Sequence, residues 1–220
     1  MANRTLNLTD ALYQYLLDHG VRESDVMRDL RAETSKQPWA RMQIGPDQGQ
    51  FMGLLVKLMG ATRIIEIGTF TGYSALCLAQ AMPAEGRLIC LDYSAEWTAV
   101  APPFWQRAGV ADKIDLRIAP AQESLPLILQ EFGPGCFDMV FIDADKTGYP
   151  NYFEICLKLI RQGGLMMFDN TLWGGEVINP ENRARDTNAL RQINRLLHQD
   201  ERVDISMLAI GDGLTLVRKR

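Results

Sequence analysis

The stretch Arg-Ile-Ile-Glu-Ile-Gly-Thr-Phe-Thr-Gly-Tyr-Ser, residues 63–74, constrains the fold more than any other part of the chain. Ile64, Ile65 and Ile67 form a short apolar, β-branched run, which suits a strand buried on both faces. Gly68 breaks the run, Gly72 follows, and residues 73–79 read as a helix. Strand, glycine turn and helix in that order bring backbone N–H groups and a helix N-terminus up to a ligand. The spacing is Glu-x-Gly-x-x-x-Gly, not the Gly-x-Gly-x-x-Gly of a nicotinamide-binding turn. Glu66, at the strand end, would repel a pyrophosphate and suits a ligand bearing hydroxyls or an ammonium group. That chemistry points to S-adenosylmethionine. A structural turn without a ligand is the plainer alternative.

Downstream the pattern alternates. Strands are expected at 63–67, 87–92, 114–118, 137–142 and 164–169, with helices at 73–82, 95–108, 121–132 and 150–161. Repeated β-α units imply an α/β fold with a mostly parallel sheet and helices on both faces. After a helix near 184–198, two strand-like runs at 203–209 and 214–218 flank Ile210-Gly211-Asp212-Gly213, a hairpin signal. The expected sheet is therefore seven-stranded and Rossmann-like, closed by an antiparallel terminal pair. Upstream, helices are expected at 7–18, 24–36 and 46–59, with a loop at 39–45. They would lid one end of the sheet. A length of 220 residues fits one domain, a helical lid over 1–60 and an α/β core over 61–220.

A net charge of -4 gives no general attraction to nucleic acid or anionic membrane. No apolar stretch has the length of a membrane helix, and the N-terminus lacks a signal-peptide core. Cys77, Cys90, Cys136 and Cys156 form no Cys-x-x-Cys pair and suit a reducing compartment, so a cytoplasmic location is expected.

In doubly wound folds ligands sit at the carboxyl ends of the strands. Those ends carry Glu66, Asp92, Ala121-Gln122, Asp143 and Asp169-Asn170. Asp92 could accept hydrogen bonds from ribose hydroxyls of any nucleoside cofactor, or cap a helix starting at Ser94. Asp143, Asp169 and Asn170 would make an all-oxygen pocket suited to Mg²⁺, Mn²⁺ or Ca²⁺, unless the acids cap the following helices. Lys146 beside such a cation should have a lowered pKa and could act as a base; a solvated surface lysine is the default. Trp173 could wall an acceptor pocket or simply pack. Arg183, Arg185, Arg191 and Arg195 read first as a solvated helix face, and otherwise as contacts to an anionic handle.

Four motifs in order, Glu66-Ile-Gly-Thr-Phe-Thr-Gly-Tyr-Ser74, Phe141-Ile-Asp-Ala-Asp-Lys146, Asp169-Asn-Thr-Leu-Trp173 and Gly211-Asp-Gly-Leu-Thr-Leu, resemble the cation-dependent class I O-methyltransferases. That family includes catechol and caffeoyl-CoA O-methyltransferases. The resemblance spans about residues 43–220. It implies that Asp143, Asp169 and Asn170 hold the metal and that Lys146 is the base or phenolate stabiliser. It also implies that Glu66, Gly68, Thr69, Ser74, Asp92, Ala121 and Asp143 hold S-adenosylmethionine, with Met42 and Ile44 closing over it. Asp143, Lys146, Asn170 and Trp173 would meet a catechol-like acceptor, and the protein would be a homodimer whose N-terminal helices help cover the site. A hydroxylated tRNA uridine is an alternative acceptor, since some bacterial relatives modify tRNA; the acidic charge counts against it. A nicotinamide dehydrogenase is disfavoured by the glycine spacing and the hairpin, and a silent binding protein by the intact Asp143, Lys146, Asp169 and Asn170.

Overall fold

The computed structural model describes residues 5–220. Three helices, α1 (Asp10–Gly20), α2 (Asp25–Thr34) and α3 (Pro46–Met59), precede β1 (Arg63–Ile67). Then follow α4 (Tyr73–Ala81), β2 (Arg87–Asp92), α5 (Ala95–Thr98), α6 (Pro102–Arg107), β3 (Ile114–Ile118), α7 (Ala121–Phe132) and β4 (Phe137–Ile142). The chain ends with α8 (Tyr149–Leu159), β5 (Ile160–Phe168), α9 (Arg185–Gln199), β6 (Val203–Leu208) and β7 (Leu214–Lys219). The strands form one seven-stranded sheet in the order β3-β2-β1-β4-β5-β7-β6. Neighbours among β1 to β5 are parallel, and β7 runs antiparallel between β5 and β6. The sequence order reverses between β1 and β4, which opens a crevice at their carboxyl ends.

Side-chain alternation in β1 divides the core into two layers. Ile64 packs with Leu88, Met139 and Phe141 beneath Met52 and Val56 of α3 and Leu76 of α4. Ile65 and Ile67 pack on the other face with Val140 and Ile142, against Leu125 of α7, Phe153 of α8 and Leu190 of α9. Full burial of each such aliphatic side chain contributes about 1.5–3 kcal/mol relative to exposure. This two-sided covering is why the strand reads as a continuous apolar run.

Local chemistry sets the helix ends. Thr9 caps α1 by accepting from Leu12 N–H at 3.3 Å, and Ser24 caps α2 by accepting from Met27 N–H at 3.4 Å. Gly60 stops α3 in the left-handed conformation, φ 58°. Three of the differences from the sequence-based expectation fall before or within the sheet core. The helix expected over 95–108 is two helices, because Pro102 and Pro103 supply no N–H and force a new start at α6. β5 begins at Ile160 rather than 164, where Gly163 at φ 74° admits a register shift against β4. The loop expected at 39–45 holds a one-turn 3-10 helix, Ala40–Met42. Among the described residues no helix is long and apolar enough to cross a membrane. Cys77, Cys90, Cys136 and Cys156 are all free thiols.

Candidate active site

The turn after β1 is pressed against the end of β4. A Cβ on Gly68 would lie 1.8 Å from the Asp143 carbonyl oxygen, so only glycine fits there, at φ 91°. Phe70, at φ 50°, and Thr69 are held by Asp92: its Oδ2 accepts from Thr69 N–H at 3.0 Å and Phe70 N–H at 2.8 Å. Asp92 Oδ1 accepts from Ser94 N–H at 2.8 Å, while Ser94 itself caps α5 by accepting from Trp97 N–H at 3.2 Å. Asp92 is therefore not the helix cap. It braces the glycine turn, and its oxygens keep lone pairs for further donors.

Glu66 is fully buried between Cys90 of β2 and Phe141 of β4. Burial pushes its carboxyl up to about 8, tempered by the nearby Ser74, Thr69 and Cys90 side chains. None of these reaches it in hydrogen-bonding geometry, so both carboxylate oxygens lack a partner, as does the buried Thr69 Oγ1. Orphaned buried oxygens beside a glycine turn fit a ligand that brings donors, such as hydroxyls or an ammonium group.

A second cluster stands at the ends of β4 and β5. Lys146, 8% exposed, donates to Asp143 Oδ1 and to the Tyr149 hydroxyl, both at 2.9 Å. The Tyr149 hydroxyl lies 3.2 Å from the Asp169 carbonyl and 3.3 Å from that of Ile142, tying the two strand ends together. Burial works to lower the Lys146 pKa, but Tyr149 and Asp143 hold it above its ordinary value. The lowered pKa expected from the sequence needs a cation alongside; the chain alone keeps this ammonium charged. Asp169 is buried, and burial together with the Asp143 charge raises its pKa. Asn170 N–H donates to Asp169 Oδ1 at 2.8 Å. Neither acid caps α8, whose N-cap is Gly148. Asn170 and Trp173 both adopt positive φ, 58° and 52°. The Trp173 ring centroid is 5.8 Å from Lys146 Nζ, so Trp173 walls the ammonium.

Among the described residues no group of three or more His, Cys, Asp or Glu side chains is placed to hold a metal. The set here is two carboxylates and the Asn170 carboxamide. The Asp143 charge raises the cost of ionising Asp169, a repulsion that a hard divalent cation relieves, and every donor is oxygen. The residues fit such an ion.

Other expected site residues are more dispersed. Ser74 is buried in the first turn of α4. Ala121 opens α7 beside the end of β2, where Ala119 N–H donates to the Asp92 carbonyl at 2.9 Å. Met42 is exposed, whereas Ile44 is buried in the core under α3. Arg183, Arg185 and Arg195 are solvated as expected, but Arg191 is not. Its guanidinium donates to the carbonyls of Glu176 (3.0 Å), Val177 (2.9 Å), Asn179 and Asn182 (2.7 Å), strapping down the loop after Trp173. Sequence reasoning missed three residues: Arg191 in this role, Tyr149 and Gln48. Tyr149 follows Lys146 by three positions, a spacing that brings side chains together on a helical turn. Gln48 of α3 is buried with an unpartnered Nε2, and its amide offsets the raised Asp169 pKa without reaching hydrogen-bonding geometry.

The family model described as O-methyltransferase matches residues 17–220. The chain belongs to this O-methyltransferase family. It is 41% identical to the caffeoyl-CoA O-methyltransferase of Eucalyptus gunnii, over all of this chain and 91% of that one. It is 43% identical to caffeoyl-CoA O-methyltransferase 1 of Zea mays, over all of this chain and 88% of that one. Among solved structures, an O-methyltransferase from Bacillus cereus in complex with SAH superposes with a TM-score of 0.87. That pair is 30% identical, covering 96% of this chain and 97% of the other. The protein is thus an S-adenosylmethionine-dependent O-methyltransferase with a Rossmann-like sheet, and the glycine turn and the strand-end acids are the features to interpret as its site.

Proposed function

We propose that this O-methyltransferase depends on a divalent cation and methylates a catechol-like small molecule, one hydroxyl of a vicinal pair on an aromatic ring. The observation that carries the reading is the cluster of Asp143, Lys146, Asp169 and Asn170 at two adjacent strand ends, with Trp173 as its wall. The names of the Eucalyptus and Zea relatives support a small aromatic acceptor. Asp143, Asp169 and Asn170 would hold Mg²⁺ or Mn²⁺, whose Lewis acidity lowers the pKa of an acceptor hydroxyl from about 10. Glu66, Gly68, Thr69, Ser74, Asp92 and Ala121 would hold S-adenosylmethionine, which supplies the methyl group on a sulfonium.

The chain's own residues then have distinct tasks. Asp92 keeps Thr69 and Phe70 in place and leaves lone pairs toward ribose hydroxyls. Glu66 offers an unsatisfied carboxyl in a dry setting, which ionises as it accepts a strong hydrogen bond from a ligand donor. Lys146, charged and fixed by Asp143 and Tyr149, offers a positive group to the oxyanion that develops on the acceptor. That role needs no deprotonation of Lys146. Trp173 excludes water from the same place. Free thiols throughout fit a cytoplasmic enzyme, and exposed Leu54 and Leu58 on α3 fit a homodimer contact, which sedimentation analysis tests.

The test is a matched pair of acceptors, caffeate against p-coumarate, with saturating S-adenosylmethionine and Mg²⁺. A monophenol loses one anchoring oxygen and its fixed angle of attack, and misplacement by about 1 Å costs about a hundredfold. The catechol should win by at least about that ratio in kcat/KM. Equal rates, or full activity in excess EDTA, would sink the proposal.

A further inference from the structure

The turn between β1 and α4 is an improbable piece of backbone. Gly68 (φ 91°), Phe70 (50°) and Gly72 (84°) are all left-handed. A phenylalanine in that region persists only where its surroundings over-determine it. Asp92 fixes the turn from the sheet side, as described. From α6, the Trp105 indole N–H donates to the Gly72 carbonyl at 3.1 Å, and the Trp105 ring fills the space a Cβ at Gly72 would need.

The third restraint comes from the N-terminal helices. The hydroxyls of Thr34, in the last turn of α2, and Thr71 are 2.7 Å apart, at 0% and 1% exposure. The Tyr73 hydroxyl donates to Glu23 Oε1 at 2.6 Å, and Glu23 Oε2 accepts from Arg31 of α2 at 2.9 Å. The Arg31 guanidinium in turn lies 6.0 Å from the Tyr73 ring centroid. Two threonine hydroxyls facing each other in a dry interface add nothing that two valines would not bury as well. What they add is direction, because each buried hydroxyl is satisfied only while the other stays in place. Both contacts fall on the turn itself, on either side of Gly72.

We propose that Thr34, Glu23 and Arg31 are positioning residues for the cofactor, and that α2 is a structural part of the S-adenosylmethionine site rather than only a cover for it. By holding Thr71 and Tyr73 they keep the Gly68–Ser74 turn in its receiving conformation. Without them the turn is competent for a smaller fraction of the time, and apparent affinity falls by that fraction. The inference rests on the reading that this turn faces the cofactor. It concerns the turn after β1 and not the side-chain cluster of Lys146, Asp143 and Asp169, which lies beyond the carboxyl ends of β4 and β5.

The experiment is calorimetric titration with S-adenosylhomocysteine of the full-length protein and of Thr34→Val, Thr34→Ser, Tyr73→Phe and Asp92→Ala, each also unfolded in urea. Thr34→Val, nearly isosteric, should raise Kd by about fivefold to tenfold, the scale of one hydrogen bond. Thr34→Ser should return it to within about twofold of the parent. In steady state Thr34→Val should raise KM for S-adenosylmethionine in proportion, with kcat nearly constant, the signature of lost uniform binding. A lower urea midpoint with unchanged Kd would reduce Thr34 to a packing residue and overturn the proposal. Should Thr34→Val not fold, Tyr73→Phe decides alone: weakened binding supports the latch and unchanged binding refutes it. If Asp92→Ala also leaves Kd unchanged, the assignment of the turn to the cofactor fails; if Asp92→Ala weakens binding and the latch variants do not, only the latch fails.

Discussion

Glu66 provides the sharpest test of how the site is built. Its carboxyl is fully buried, and burial moves it from an ordinary 4.5 up to about 8. The folded state thus binds this proton more tightly than the unfolded chain does. Stability from this group is complete below pH 4.5 and is lost as pH rises through about 8. Each pH unit in that window removes about 1.4 kcal/mol, so about 3 kcal/mol is gone by pH 7 and about 5 kcal/mol by pH 9. Glu66→Gln removes the titration and keeps the shape. Urea unfolding of both proteins without ligand, at pH 5, 7 and 9, should give wild-type stability that falls relative to the variant by about 2.5 kcal/mol from pH 5 to 7 and about 4 kcal/mol from pH 5 to 9. Taking the difference cancels Asp169 and the other acids. A ligand donor meeting the carboxylate should reverse the shift, so S-adenosylhomocysteine binding near pH 7 should release close to one proton. Calorimetry in two buffers of different ionisation enthalpy would detect it, and Glu66→Gln should abolish the release. Stability curves that stay parallel within about 1 kcal/mol, together with binding that releases no proton, would refute the account of Glu66 as an orphaned carboxylate awaiting a donor.

Three shorter expectations concern the other end of the crevice. Mg²⁺ should raise the unfolding free energy of the wild type by about 2–3 kcal/mol at a hundredfold excess over its Kd, and Asp169→Asn should lose both that response and methyl transfer; identical cation responses would remove Asp169 from the metal set. Lys146→Met should lower kcat by about a hundredfold or more while leaving S-adenosylhomocysteine affinity nearly unchanged. A threefold change or less would make Lys146 structural. Arg191→Ala should raise the acceptor KM and speed proteolysis within residues 174–182, leaving the KM for S-adenosylmethionine alone; a protease pattern like the wild type's would show that the loop holds without its strap.

The strand positions, the parallel core with both faces covered and the antiparallel terminal pair were legible because local chemistry and burial agree there. Ile64, Ile65 and Ile67 are apolar in both directions, and both directions are covered. Glu66, Asp92, Asp143 and Asp169 were legible as site candidates because a polar residue ending such a strand has few other reasons to be there. Spatial pairing was less accessible. That Asp92 braces Thr69 and Phe70, or that Tyr149 bridges Lys146 and the end of β5, depends on register between strands, which composition does not encode. That Tyr149 and Asp143 hold the Lys146 ammonium charged in the absence of a cation was not legible either, because only the fold brings these two neighbours to it. Arg191 was read as solvated since its helix face is otherwise basic and exposed; only the folded loop supplies the carbonyls that claim it. Pro102-Pro103, by contrast, was a visible signal for the break between α5 and α6.

The strap on the loop after Trp173 grips main-chain oxygens of Glu176, Val177, Asn179 and Asn182. Every residue type carries such an oxygen, so the anchor is indifferent to which side chains the loop displays. Ile178, 85% exposed in the middle of it, shows how little the fold asks of that surface. Mechanical hold and chemical identity are thereby separated: mutation can rewrite the side chains beside Trp173 without untying the loop. Libraries randomised at the exposed Ile178 and Glu181 should remain largely folded when Arg191 is kept, as measured by soluble yield and urea midpoint, and lose stability when it is not.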